Sequence, residues 1–462
     1  MRIAVIGGGL AGCECAFALA RLGLPVTLFE MKPARFSPAH KSPALAELVC
    51  SNSLRSDDPL TAIGLLKEEM TSLGSLIMDA ARATNVPAGM ALAVDRDLFA
   101  ARVTQRIENA PDIALERREI ASLTDPALAG FTDVVVAAGP LASDGLAASL
   151  ARAVGSESLY FYDAIAPIVS AESVEMDKVF FGSRNQPGQD DYLNCPMDRE
   201  EYFAFIRELL EARKVPAREF EEQVHFEGCL PIETMAERGE MTLAFGPLKP
   251  VGLIDPKTGR RPFANVQLRA ENREKTLFNL VGFQTKLAYP EQERVFRLIP
   301  GLSRAKFVRR GSIHRNTFVD APRVLSASLE LLARPNVFLA GQITGVEGYL
   351  ESAACGLYAG LCLGLRVRGR TVTPPPRETA LGGLLGHLRE PAKNFQPSNA
   401  NFGLTPPLEA RAGKAKRREL YRDRARTAWR QWLRDLPEAA LLGPAPGDDT
   451  HWPGGSPPGP PR

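Results

Sequence analysis

The sequence lacks the features of several large protein classes. No stretch reaches the roughly 18 uncharged apolar residues that a membrane span needs, and "RIAVIG" already reads as a strand from Arg2, so we expect no signal peptide. The seven cysteines show no metal-ligand spacing, which argues against a disulfide framework and a zinc site. A formal net charge of only +2 gives no global attraction for nucleic acid. We therefore expect a cytoplasmic globular protein with reduced thiols, no metal and no membrane contact.

The chain opens with a strand, a glycine-rich turn, a helix and a second strand. Gly7, Gly9 and Gly12 match G-x-G-x-x-G directly after "RIAVI", and Glu30 ends the next strand 18 positions later. Gly7 allows the tight turn, Gly9 lets the backbone approach a pyrophosphate, and Gly12 permits close helix packing. The helix N-terminus would face the phosphates, and Glu30 can hydrogen-bond a ribose hydroxyl. The predicted dinucleotide contacts are Gly7, Gly8, Gly9, Leu10, Ala11, Gly12 and Glu30.

A second glycine-rich turn indicates which dinucleotide is bound. Residues 336–360, "NVFLAGQITGVEGYLESAACGLYAG", again read as a strand, a turn and a small-residue helix. Many FAD enzymes close a two-part nucleotide site in this way, whereas a unit that binds only NAD does not need the second part. Gly341, Gln342 and Gly345 are therefore predicted to contact FAD. The alternative is that the glycines of this turn serve packing alone.

These motifs predict an α/β fold. We expect a Rossmann-like FAD-binding domain built from N- and C-terminal segments and interrupted by a smaller α+β insertion domain, with the strand in "FTDVVVAAGP" (131–140) in the same sheet. The turn-rich "FFGSRNQPGQDDYLNCP" marks the start of the insertion. Residues after 436 are rich in Pro and Gly and are predicted to be disordered, since they cannot bury a core. The predicted segments are 1–182 and 310–436 for the FAD-binding domain, 183–309 for the insertion and 437–462 for the tail.

A basic segment precedes that tail. Residues 409–434 hold ten Lys and Arg against three Asp and Glu. Apolar residues recur there at helical spacing and form a stripe that can dock on the protein. The stripe consists of Tyr421, Ala425, Ala428, Trp429, Trp432 and Leu436. The arginines would then face outward, either as a solvated surface or as a patch that contacts phosphates.

Two cysteines stand in settings that suit chemistry. Cys50 is followed by Ser51, Asn52, Ser53 and Arg55, a polar and cationic setting that favours a thiolate. Cys229 lies in "EGCLPIE", an irregular loop that can present a side chain. Composition alone leaves a filler role open for both. Among the others, Cys195 is predicted to lie in a loop, and four are predicted to be packing residues within helices: Cys13, Cys15, Cys355 and Cys362.

Six blocks together resemble the folate- and FAD-dependent tRNA (uracil-5-)-methyltransferase family, TrmFO, which is related to the GidA flavoproteins. They are "GGGLAGCECA", "ELVCSNSLRSD", "FEGCLPIE", "SIHRNTF", "GQITGVEGYLES" and "NFQPSNANFGLTPPL". The likeness runs from Met1 to about Leu436. A GidA-like protein, which modifies the wobble uridine of tRNA, shares the flavin motifs but is considerably longer, and the blocks around Cys50 and Cys229 point away from it.

The resemblance implies an enzyme that makes 5-methyluridine at position 54 in the T loop of tRNA. FAD, 5,10-methylenetetrahydrofolate as carbon donor and NAD(P)H as reductant would be its cofactor and co-substrates, tRNA its partner, and no protein partner is implied. Cys229 would add to uracil C6, and Cys50 would remove the C5 proton or guard the flavin-bound carbon, with the two roles open to exchange. Two further classes stay open: a small-metabolite flavin oxidoreductase, and a tRNA-binding or folding factor that keeps FAD as a structural element.

Overall fold

The computed structural model describes residues 2–155, 159–184, 188–215, 230–392, 395–409, 413–436 and Leu442. Its strands are β1 (Ile3–Ile6), β2 (Val26–Phe29), β3 (Ser53–Ser56), β4 (Asn85–Val86), β5 (Ala91–Val94), β6 (Ile113–Glu116), β7 (Asp133–Val136), β8 (Leu159–Ile165), β9 (Ile168–Ser170), β10 (Phe180–Phe181), β11 (Tyr192–Met197), β12 (Ala264–Ala270), β13 (Leu277–Leu280), β14 (Phe307–Arg309), β15 (Ser312–Phe318) and β16 (Val337–Leu339). Its α-helices are α1 (Leu10–Arg21), α2 (Ala62–Ser72), α3 (Leu76–Ala83), α4 (Arg96–Glu108), α5 (Asp144–Val154), α6 (Arg199–Glu211), α7 (Ile232–Glu237), α8 (Thr242–Phe245), α9 (Tyr289–Phe296), α10 (Ala321–Val324), α11 (Tyr349–Val367), α12 (Ala380–His387) and α13 (Lys414–Asp435).

Five parallel strands form the sheet that carries both glycine-rich turns. Their order is β16-β7-β1-β2-β6, with every neighbouring pair parallel. The central strands β1 and β7 are buried along their whole length, as expected for a parallel sheet covered on both faces. Strands from opposite ends of the chain thus meet in one sheet, and the strand predicted within residues 131–140 lies between them. The Rossmann-like fold is confirmed.

Helices α1 and α11 pack closely against each other beside this sheet. A Cβ added to Gly356 would come within 2.1 Å of the Ala11 carbonyl oxygen, and one added to Gly360 within 2.9 Å of the Cys15 carbonyl oxygen. Only glycine permits this approach. By length and composition α11 could cross a membrane, but 83% of its apolar window is buried inside the protein, so it is a core helix. The four helical cysteines are buried, as predicted: Cys13, Cys15, Cys355 and Cys362.

A six-stranded sheet forms the second layer, in the order β10-β11-β12-β13-β9-β14, and its strands pair antiparallel. Val266 and Leu268 of β12 face a separate apolar core, whereas Gln267 and Arg269 alternate with them on a polar face that is also buried. Because β9 belongs to this sheet and precedes residue 183, a domain boundary near residue 166 fits the sheet better than the predicted start of the insertion. The division into domains stays a prediction.

The loop predicted around Cys195 is wrong. Cys195 lies in β11, opposite Val266 of β12, and is fully buried in the core of the second sheet. The turn residues before it, together with Pro196, suggested a loop. Pro196 is tolerated because β10 pairs only with Leu193 and Asn194, so that this edge of β11 is open at the proline.

Helix α13 docks through the predicted apolar stripe. Ala425, Trp429 and Trp432 are buried, as is Leu436 just after the helix. The Trp429 indole N–H donates to Ser72 Oγ at 2.8 Å, and the Trp432 indole N–H donates to the Thr373 carbonyl oxygen at 2.7 Å. The docking stripe is therefore confirmed, and it fixes which side of the basic helix faces solvent.

The predicted tail contains a residue that packs. Leu442 is fully buried in the apolar core that contains the parallel sheet. The expectation that nothing after residue 436 can pack is therefore wrong at this residue. Residues 437–441 and 443–462 lie outside the described residues.

The burial of Leu442 predicts an effect of truncation, because burying a leucine contributes about 1.5–3 kcal/mol of stability. We expect a chain that ends at Leu436 to lose about that much stability, whereas one that ends at Gly443 should match the full chain. Urea titration followed by circular dichroism measures both, and equal stability of the two shortened chains would contradict the packing of Leu442.

Candidate active site

A cleft opens where β1, β2, β7 and β16 end, and both glycine-rich turns line it. Eight of the ten residues predicted to contact the cofactor lie in its wall: Gly7, Gly8, Gly9, Leu10, Ala11, Glu30, Gly341 and Gln342. Gly12 and Gly345 do not line it. This is the edge at which parallel α/β sheets bind nucleotides.

The glycines of the first turn have different surroundings. A Cβ added to Gly9 would meet no atom within 4 Å, whereas one added to Gly12 would lie 1.8 Å from the Gly7 carbonyl oxygen. Gly7 itself has a φ of 106° and lies against the backbone of Ala137. Gly9 is the N-cap of α1 and provides no side-chain cap, so the first N–H groups of the helix face a space open to a ligand. This cradle fits a pyrophosphate.

Glu30 is held at the end of β2 by backbone donors. Its Oε2 accepts the Gly8 N–H at 2.8 Å and its Oε1 accepts the Lys32 N–H at 2.9 Å. The carboxylate thereby joins the glycine turn to the strand while it lines the cleft. This is the position in which an acidic residue can reach a ribose hydroxyl.

The second turn closes the cleft from the other side. Gly341 has a φ of 82°, and a Cβ there would come within 2.8 Å of the Ala11 side chain. The Gln342 amide donates to Glu347 Oε2 at 2.6 Å. Gly345 has a φ of 92° and lies against the ring of Phe395 instead of the cleft, so its observed surroundings are those of a packing glycine.

Cys50 lies at the edge of this cleft. It is half-exposed and follows Val49, which lines the cleft. The N–H groups of Cys50 and Ser51 both donate to the hydroxyl of Tyr349, at 2.7 and 3.2 Å, and Tyr349 also lines the cleft. Burial, and then the charge of the nearby Cys50, raise the pKa of Tyr349, so this hydroxyl stays protonated and fixes the Cys50 backbone.

The arginines that bind the chain near Cys50 are not Arg55, the cation that the sequence predicts beside it. Arg55 has a φ of 65°, and its side chain pairs with Glu351 at 2.8 Å. Two arginines distant in sequence, Arg96 and Arg269, hold residues 48–52 instead, and Arg309 contacts the chain upstream of them. Arg96 donates to the Leu48 carbonyl oxygen, Arg309 donates to that of Ala39 at 3.4 Å, and Arg269 donates to Asn52 Oδ1 at 2.8 Å and to Ser51 Oγ at 2.6 Å.

Cys50 is one of the groups that affect the pKa of Arg96 and of Arg309. Burial, the largest single cause, would lower the pKa of Arg96, but Glu271, 2.8 Å away, together with Tyr349 and Cys50 outweighs it and the pKa is raised. Burial, and then repulsion from Arg96, lower the pKa of Arg309. A negative charge at Cys50 favours the charged form of both guanidinium groups. No local pattern in the sequence could have found them.

Cys229 lies outside the described residues, which resume at Leu230. The Ile232 N–H donates to the Gln284 carbonyl oxygen at 2.7 Å, and Glu233 accepts the Thr285 hydroxyl at 3.0 Å and the Lys286 N–H at 2.6 Å. Burial raises the pKa of Glu233. The chain that leaves Cys229 is thus anchored to the loop of residues 281–288.

Comparison with known proteins agrees with this geometry. Residues 2–371 match the family model "GIDA: Glucose inhibited division protein A". Over 437 residues the chain is 64% identical to the "Methylenetetrahydrofolate--tRNA-(uracil-5-)-methyltransferase TrmFO" of Oleidesulfovibrio alaskensis, a match that covers 95% of this chain and 98% of the relative. This chain belongs to the TrmFO family. A TrmFO of Geobacter sulfurreducens is 58% identical over 433 residues, covering 93% of this chain and 98% of the relative.

Solved structures of Aquifex aeolicus GidA share the fold of this TrmFO family member. They superpose with TM-scores of 0.66 and 0.67 at 17% identity. The match covers 96% of this chain but only 75% and 77% of the GidA chains. The matches to the TrmFO proteins of Oleidesulfovibrio alaskensis and Geobacter sulfurreducens each cover 98% of the relative.

Proposed function

We propose that the chain methylates C5 of uridine 54 in the T loop of tRNA in the cytoplasm. 5,10-Methylenetetrahydrofolate would supply the carbon, and NAD(P)H would supply the electrons through FAD bound in the cleft. The observation that carries the proposal is the attachment of Cys50 to the nucleotide cleft through the hydroxyl of Tyr349. The names of the TrmFO relatives, which state a folate donor and tRNA uracil, support the same reaction.

The residues of the cleft fit FAD. The opening at Gly9 and the N–H groups at the start of α1 would hold the pyrophosphate, and Glu30 would bind the ribose. Gly341 and Gln342 would lie along the flavin side of the dinucleotide. FAD bound here, once reduced by NAD(P)H, would supply the two electrons that turn a carbon at the formaldehyde level into a methyl group.

The thiols would carry the chemistry on the uracil ring. C5 of uracil is a poor nucleophile until a thiolate adds to C6. We assign this addition to Cys229: its sulfur bonds to C6, the electron pair moves to C5, and C5 attacks the one-carbon electrophile. Cys50 would then take the C5 proton as the bond from the transferred carbon to its carrier nitrogen breaks, which leaves an exocyclic methylene at C5. Two-electron reduction of that methylene to a methyl group would restore the ring double bond while the bond between C6 and the Cys229 sulfur breaks.

Oxidation of NAD(P)H tests this function against the two other classes. We expect oxidation to become coupled to product only when methylenetetrahydrofolate and a T-arm RNA are both present, with one 5-methyluridine formed per NAD(P)H. Rapid oxidation with a small metabolite and no RNA product would favour the oxidoreductase. RNA binding without turnover would favour the binding factor.

The basic helix gives a separate prediction about tRNA binding. Arg417 and Arg418 are exposed on α13, and Arg422 is half-buried beside Asp423 at 2.8 Å. Reversing the charge at these three positions should weaken tRNA binding, reduce the slope of log affinity against log salt by roughly 2, and leave FAD bound. Filter binding at several salt concentrations measures this. Lys306→Glu, at an exposed lysine beside β14, is the control; unchanged affinity of the triple variant would make α13 a solvated surface.

A further inference from the structure

The side chain of Phe245 is exposed to solvent, although the residues around it are well packed. At 81% its exposure is the largest among the big hydrophobic side chains of the described residues. The backbone around it is firmly held: Leu243 and Leu248 are fully buried, and the Leu248 N–H donates to the Leu243 carbonyl oxygen at 2.9 Å. An aromatic ring that is held rigidly in solvent forgoes a large hydrophobic gain, which indicates a contact made with a partner.

The chain segment that begins at Phe245 is basic. Residues 245–261, here called the Phe245 loop, contain one acidic residue and four basic ones, a net charge of +3. All four basic side chains are exposed: Lys249, Lys257, Arg260 and Arg261. The single acid, Asp255, is buried and used within the turn, where its Oδ1 accepts the Lys257 N–H at 2.9 Å and its Oδ2 accepts the Thr258 hydroxyl at 3.3 Å. The outer surface of the loop is therefore apolar and positive.

The Phe245 loop and the residues that follow Cys229 contact the same neighbouring loop. Pro247 lies 2.8 Å from the position of a Cβ on Gly282, and Gln284, two residues further on, accepts the Ile232 N–H. The loop of residues 281–288 therefore contacts both. On the other side, the Leu248 carbonyl oxygen accepts the Asn265 N–H at 2.9 Å, which joins the Phe245 loop to β12, the strand whose Arg269 holds Ser51 beside Cys50.

We propose that the Phe245 loop is a binding surface for the RNA substrate. The Phe245 ring stacks on an unpaired base, and Lys257, Arg260 and Arg261 contact the phosphates on either side. An exposed aromatic ring on a basic segment, whose single acid is buried and used within its turn, is a combination that recognises splayed bases of single-stranded RNA. The assignment rests on the proposed function, because it names the surface by which that same site takes its tRNA loop.

Substitutions at Phe245 test the stacking. Affinity for a T-arm stem-loop RNA is measured by fluorescence anisotropy on the FAD-loaded protein. Phe245→Ala should weaken binding by about 5- to 150-fold. Phe245→Trp should restore it, and Phe245→Leu should remain weak since it keeps apolar surface without a ring face. Leu332→Ala, at a 60% exposed side chain far along the chain, is the matched control and should bind like the wild type. Unchanged flavin absorbance and melting temperature verify that each variant is folded.

Charge removal tests the phosphate contacts. Neutralising Lys257, Arg260 and Arg261 to Gln should lower the slope of log affinity against log salt by roughly 2 for single-stranded contacts. Wild-type affinity in Phe245→Ala, or full recovery in Phe245→Leu, would overturn the stacking surface, the latter in favour of a general apolar contact such as a protein partner makes. A wild-type chain that binds no RNA would instead overturn the proposed function itself, so the two failures are distinguishable.

Discussion

Gly9→Asp should fold and yet bind no FAD, whereas Gly9→Ala should fold and bind FAD more weakly than the wild type. A Cβ at Gly9 meets no protein atom within 4 Å, so neither substitution disturbs the packing of the folded chain. The carboxylate of the aspartate, however, would occupy the place of the pyrophosphate and repel its charge. Titration with FAD, followed by flavin fluorescence and visible absorbance, measures the difference, and we expect the wild-type protein to be yellow.

Gly12→Ala provides a contrast within the same turn. Its Cβ would lie 1.8 Å from the Gly7 carbonyl oxygen, so this variant should lower the melting temperature as well as FAD affinity. Tight FAD binding by Gly9→Asp would show that the pyrophosphate does not lie at the start of α1. A wild-type chain that takes up no FAD would refute the flavin assignment.

Cys229→Ala should abolish a covalent complex with RNA, whereas Cys50→Ala should retain it. In a T-arm RNA with 5-fluorouridine at the target position, a thiolate can add to C6 but fluorine cannot leave as a proton does, so the adduct persists. Cys229→Ala should therefore trap no RNA while it keeps FAD and NAD(P)H oxidation. Cys50→Ala should trap RNA but form little or no 5-methyluridine, since removal of the C5 proton fails.

Denaturing gel electrophoresis detects this complex, and Cys195→Ala serves as the control thiol. Cys195 lies in β11 on the apolar side of the second sheet, so its loss should leave both trapping and methylation in place. Trapping lost in Cys50→Ala and kept in Cys229→Ala would exchange the two roles. Full methylation by both variants would contradict the thiol mechanism.

The parts of the site that could be predicted are those determined by residues close together in the sequence. The tight turn at Gly7, the opening at Gly9 and the acid at Glu30 are all set by spacing within one strand-turn-helix-strand unit, and the structure places them together. Helix α13 was predictable for the same reason, because its apolar stripe follows helical periodicity.

The environment of Cys50 was not predictable in this way. Arg55 is its neighbour in sequence but turns away, because the left-handed backbone at Arg55 directs its side chain to Glu351. The cations that act on the loop are Arg96, Arg269 and Arg309, which come from α4 and from two strands of the second sheet. The burial of Leu442 was not predicted, because the high Pro and Gly content of residues 437–462 indicates disorder for the segment as a whole and says nothing of a single leucine.

Release of tritium from a T-arm RNA labelled at C5 of uridine 54 tests the central claim most directly. With methylenetetrahydrofolate and NAD(P)H, the FAD-loaded protein should release this tritium as water in step with the formation of 5-methyluridine, and Cys50→Ala should release little. Tritium that stays on the RNA while NAD(P)H is oxidised in the presence of the folate would contradict the claim that this chain methylates uridine 54.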